Sequence, residues 1–101
     1  MAQLSTNDPG LLILVSLAAA PRHGHAILLD VEGFAGVRLG PGTLYGAIGR
    51  LEEQGLIEPM GEEGRRRPYR ITDRGRSLLT GRLRGMEQTV RTGMRRMAVE
   101  S

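Results

Sequence analysis

The chain has 101 residues, enough for one domain and one modest core rather than two. Hydrophobic residues make up 40% of it, but the only aromatics are Phe34, Tyr45 and Tyr69. The core must therefore be aliphatic, and the lack of cysteine excludes a disulfide framework or a thiolate metal site. All 14 basic residues are arginine: residues 1–60 hold three against six acids, residues 61–101 eleven against five. A chain of net charge +3 thus has a basic C-terminal part suited to a polyanion, either nucleic acid or a membrane surface.

Asp8-Pro9 reads as an N-cap with proline at the first helical position, opening a helix to about Ala20. Its run Leu11–Ala20 is nearly all apolar. It is too short to span a bilayer, and no arginine or lysine precedes it as a secretory leader requires, so a buried helix in a cytoplasmic protein is expected. Pro21 ends it. A second helix is expected from His23 to Glu32, burying Ile27, Leu28 and Val31, with Gly33 and Gly36 breaking the pattern. Val37-Arg38-Leu39 alternates like a short strand or an extended connector. Gly40-Pro41-Gly42 reads as a turn, and Thr43 as the cap of a third helix over Leu44–Gln54, with Leu44, Ile48 and Leu51 on one face and Gly55 as terminator.

Residues 56–60 and 67–71 flank a polar, glycine-bearing loop, the pattern of a β-hairpin kept short and edge-like by Pro59 and Pro68. Thr72-Asp73 caps a last helix. Along it Leu79, Leu83, Met86, Val90, Gly93 and Met97 follow heptad spacing. Gly81, Gly85 and Gly93 each weaken such a helix by about 1 kcal/mol relative to alanine, so it needs a partner surface. The fold class is mainly α with a small β-hairpin wing: a winged helix-turn-helix over residues 1–76, then a C-terminal dimerisation helix over 77–101, forming one compact domain. Leu12 of the first helix joins Leu79, Leu83, Met86, Val90 and Met97 as the expected dimer contacts.

With Ile48 at the centre of its buried face, the third helix turns Thr43, Gly46, Arg50 and Glu53 outward and keeps Tyr45 and Gly49 on the flanks. That face is small near the N-terminus, as a helix entering a major groove requires. Thr43 and the helix-end amides can hold a phosphate, Tyr45 offers a hydroxyl on a rigid arm, and Arg50 reaches a phosphate or a guanine. Taken singly, each has a plainer role: Tyr45 in the core, Arg50 paired with Glu53. The hairpin is more telling. Six arginines and three acids lie between Glu62 and Arg76, and Arg65-Arg66-Arg67 sits at or just past the tip, where it can probe a minor groove or grip phosphate. His23 and His25 have no further histidine or cysteine to complete a metal site, and a helix-start role accounts for them. No catalytic set stands out, so no enzyme, metal or cofactor is expected.

The stretches Ala20–His25, Leu39–Tyr45, Arg50–Ile57 and Arg65–Gly75 together resemble the PadR family of bacterial transcriptional regulators, in the right order from about Leu11 to Leu79. The Pro-Gly-Thr-Leu-Tyr string and the arginine-rich wing carry the likeness, and the short tail is similar to the subgroup with a single C-terminal helix. The resemblance implies a homodimer built by the first and last helices and repression at an imperfectly palindromic DNA operator, relieved by a small-molecule effector. It places Thr43, Tyr45, Arg65, Arg66 and Tyr69 at recognition-helix and wing positions. With Gly46, Arg50 and Arg67 they complete the expected DNA-binding set. The chain has His25 where the family often has tyrosine, Gly46 where it often has proline, and no tryptophan on which to stack a planar drug. Two alternatives compete. One is a winged-helix protein-interaction module facing an acidic protein. The other is a ligand sensor without specific DNA readout, with Met86, Met94 and Met97 lining a dimer cleft; ordinary dimer packing is their simpler role.

Overall fold

The computed structural model describes residues 8–61 and 67–99, and the element order is α1 (Pro9–Ala19), α2 (Gly24–Ala35), α3 (Pro41–Glu53), β1 (Ile57–Pro59), β2 (Tyr69–Ile71) and α4 (Asp73–Val99). α1 begins as its sequence dictates: Pro9 occupies the first turn, and the Asp8 carboxylate accepts a hydrogen bond from Leu11 N at 3.0 Å. Leu11, Leu12, Ile13, Leu14, Ser16 and Leu17 are all buried, because α2, α3, α4 and β2 pack around this one helix. Its all-round apolar character is thus used up within the chain. No helix among the described residues is long and apolar enough to cross a membrane.

Two sequence expectations are corrected at element boundaries. α2 does not stop at Glu32 but runs through Gly33 to Ala35. A single interior glycine costs only about 1 kcal/mol, and the break comes at Gly36, which adopts a left-handed φ of 68° and donates its N–H to Glu32 O. α3 starts at Pro41 rather than Leu44, so Gly40 is its cap and Thr43 lies inside the first turn. The Gly40-Pro41-Gly42 turn is itself helical, since the fixed φ of proline suits a first helical position. Of the two forms expected for Val37-Arg38-Leu39, it is the connector and not the strand that is found. The extra β pairing comes from Arg22, whose N–H and C=O bond to Tyr69 O and N at 3.1 and 2.9 Å, adding a third short segment along the far edge of β2.

The hairpin is antiparallel with Ile57 opposite Ile71, Glu58 opposite Arg70 and Pro59 opposite Tyr69. Gly55, with φ 75°, closes α3 in a Schellman turn, in which Leu56 N bonds Leu51 O and Gly55 N bonds Glu52 O. Thr72 caps α4 as expected. Its Oγ1 accepts from Gly75 N at 3.0 Å and its hydroxyl donates to Gly55 O at 2.7 Å, tying the helix start to the end of α3. Gly75 is there because nothing larger fits: a Cβ would collide with the Leu56 carbonyl oxygen and stand 2.8 Å from Ile71 Cγ1. The core formed in this way joins Ile13, Leu14, Leu17, Ile27, Val31, Leu44, Ile48 and Ile57 in one cluster, reaching Leu79 on α4.

Candidate nucleic-acid interface

α3 buries Leu44, Ala47, Ile48 and Leu51 and turns Thr43, Tyr45, Gly46, Gly49 and Arg50 to solvent. The split follows from the 3.6-residue period. Arg50 is exposed and has no ion pair among the described residues, with Glu53 or otherwise. Its guanidinium reaches back along the helix, as long helical side chains do, to 3.7 Å from where a Cβ on Gly46 would stand. Gly46 therefore leaves a bed for the guanidinium, and the helix runs through it unbroken. Tyr45 is not part of the core. It is 54% exposed, yet its ring lies against α2, where a Cβ on Gly24 would come within 2.8 Å of the ring carbons Cε1 and Cζ. Gly24 thus leaves room for the Tyr45 ring against α2.

The wing stands beside this surface. Tyr69 is half-buried, held on one side by Pro59 and on the other by Arg22, so β2 is fixed to the domain along both edges. The Arg22 side chain in turn reaches Ser16 O at 3.4 Å and Asp30 at 3.9 Å. Arg70 pairs with Glu58 directly across the strands. Arg67 is half-buried at the foot of the loop, while Arg65 and Arg66 lie outside the described residues. The structure thus brings Thr43, Tyr45, Gly46 and Arg50 onto one face of α3, and anchors the strand that carries Tyr69.

Residues 13–81 match the transcriptional regulator PadR-like family. The chain belongs to that family. This PadR-like chain is 50% identical over 76 residues to an uncharacterised protein of transposon TN4556 from Streptomyces fradiae, covering 75% of the chain and 22% of the relative. It is 46% identical over 59 residues to the transcriptional regulator Rv3488 of Mycobacterium tuberculosis, covering 55% of each. The chain therefore spans about a fifth and about half of the length of these relatives. A solved transcriptional regulator from Clostridium thermocellum superposes with a TM-score of 0.74 at 28% identity, over 89% of this chain and 94% of that one. The winged-helix architecture is thus that of the family, whose members are transcription regulators and not enzymes.

Of the residues expected to contact a second copy of the PadR-like chain, two turn inward. Leu12 and Leu79 are each 5% exposed and belong to the chain's own core, and Met86 is half-buried against it. Beyond that point α4 leaves the domain: the helix is 27 residues, about 40 Å at the usual rise, and the molecule measures 57 Å along its longest axis. Leu83, Val90 (62% exposed) and Met97 (75% exposed) line its projecting part, and Met94 lies beside them. His23 caps α2 by accepting from Ala26 N at 3.4 Å, as its helix-start role requires; His25 is exposed. Among the described residues no group of acids and histidines could hold a metal. A cleft of about 140 Å³ opens between the start of α1, the end of α3 and α4, lined by Leu11, Leu14, Leu51, Leu56, Leu78 and Arg82 among others. It is smaller than the roughly 300–1,000 Å³ of ordinary ligand pockets.

Proposed function

We propose that this PadR-like chain is a homodimeric, sequence-specific DNA-binding repressor acting in the bacterial cytoplasm on an imperfectly palindromic operator. The observation that carries the reading is the outward face of α3, where Thr43, Tyr45 and Arg50, which has no ion pair among the described residues, surround the open positions Gly46 and Gly49 beside an anchored wing. A helix with small residues at its leading end and an exposed guanidinium suits the major groove. Arg65, Arg66 and Arg67 of the wing supply phosphate contacts, with Tyr69 positioning the strand behind them. The dimer rests on α4, whose Leu83, Val90, Met94 and Met97 form an apolar line on a projecting helix that its own domain does not cover. A small molecule that relieves repression would bind between protomers and act by changing their spacing.

The test is binding to the duplex upstream of the protein's own gene, titrated with salt against scrambled competitor. A preference of about a thousandfold is expected of a specific regulator. Equal, salt-sensitive binding to both duplexes would reduce the α3 face to a basic surface and favour a protein partner.

A further inference from the structure

We infer that the outer side of α4, carrying Arg84, Arg91 and Arg95, is a second surface for duplex DNA, gripping the phosphate backbone without reading sequence.

Three arginines in the body of the domain are held by acids: Arg22 faces Asp30, Arg38 binds Glu32 and Arg70 binds Glu58. On α4 beyond Met86 only Arg91 meets an acid among the described residues, Glu87 at 3.4 Å, with both side chains about two-thirds exposed. Such an exposed pair contributes little and yields readily to a stronger anion. Arg84 and Arg95 have no ion pair among the described residues, and residues 82–98 hold five arginines against one acid.

Their positions are ordered. At 100° per residue Arg84, Arg91 and Arg95 fall within about 40° of one another, and the row is centred about 110° round the helix from the Leu83, Val90, Met94 and Met97 line. A partner helix seated on that apolar line leaves them free. The row spans about 16 Å of rigid helix, and its neighbours Ser77, Thr80 and Gln88 are polar. With no aromatic or aliphatic anchor, this face lacks what a protein interface uses for its energy. It offers planar, permanently charged donors at fixed spacing, which suit phosphate oxygens.

The surface is also distinct from that of α3. α1 packs against both α3 and α4, which do not pack closely on each other among the described residues, and the row extends onto the length of α4 that projects from the domain.

To test this, the full chain is saturated with unlabelled duplex from upstream of its own gene, and a short labelled duplex of scrambled sequence is added at low salt. The saturated protein should take up the second duplex, with log affinity falling against log salt at a slope of about −2.7, from three phosphates at about −0.9 each. The triple variant R84Q/R91Q/R95Q should lose this uptake while keeping the first duplex, its helix content and its oligomeric state. Glu87→Gln, which frees Arg91, should tighten the uptake. Absence of uptake by the natural protein, or equal uptake by the triple variant, overturns the inference. If the first duplex is not preferred over scrambled sequence but uptake still depends on the three arginines, the repressor reading falls and this surface stands.

Discussion

Among the described residues an added Cβ would come within 3.0 Å of a neighbour at two glycines, Gly75 and Gly24, and they differ in what yields. Gly75 faces the backbone carbonyl of Leu56, which cannot move without disturbing the hairpin, so Gly75→Ala should destabilise the fold by about 1–3 kcal/mol. Gly24 faces the ring of Tyr45, a side chain with solvent to swing into. Gly24→Ala should leave the melting temperature nearly unchanged and instead weaken DNA binding, because the ring is displaced on the α3 face. Thermal melts and duplex titrations on the two variants separate these outcomes, and equal loss of stability in both would contradict the distinction. Ser16 is a third case. Its hydroxyl is buried in α1 without a hydrogen-bond partner, and an unsatisfied buried polar group costs about 1–3 kcal/mol. Ser16→Ala should therefore be neutral or raise the denaturation midpoint; a clear drop would mean that the hydroxyl has a partner in solution.

The helices show how far the sequence alone specifies the fold. Asp8, Gly55 and Thr72 were legible as boundaries because each acts through its own backbone neighbours, and the structure gives each the expected hydrogen bonds. The start of α3 and the end of α2 were misplaced because glycine and proline are ambiguous: Gly33 is tolerated inside a helix, and Pro41 opens one. The bridge between Arg22 and Tyr69 was invisible, since a single-residue pairing leaves no periodic trace. For the candidate site, the α3 face was legible from its wheel, whereas the packing of Gly24 on Tyr45 needed three dimensions. Heptad spacing marked the apolar line of α4 but could not say what covers it. Leu79 is covered by its own domain, and Val90 and Met97 are not. If a second α4 covers them, the melting temperature will rise with protein concentration, and Val90→Asp will abolish that dependence and leave a monomer. A concentration-independent melt together with a monomeric natural protein would remove the dimer from the mechanism. In the wing, Arg65→Ala or Arg66→Ala should weaken binding to all duplexes alike and flatten the salt slope by about 0.9 for each phosphate no longer neutralised.

For the whole molecule, the proposed dimer, joined through a projecting helix, places two α3 faces at a fixed separation. Half-sites read by such a pair lie about 10 base pairs apart or a multiple of that. Inserting about half a helical turn between the operator's halves should then cost most of the sequence preference, and a full turn should restore part of it. Gel shifts with the spaced duplexes give the answer, and indifference to spacing would mean that each wing-and-helix unit binds alone.

The seat of Gly75 gives α4 the properties of a lever. The helix rests without a side-chain cushion on the Leu56 carbonyl, and Thr72 ties the same spot to the last turn of the α3 segment. The fulcrum of α4 is thus also the root of the wing. The core holds α4 as far as Met86, so about 20 Å of the helix projects, and a tilt of about 5° there moves the far tip by about 1.7 Å. In the proposed dimer motion also runs the other way: displacement of the tips returns as a small, stiff rotation toward the base of the hairpin.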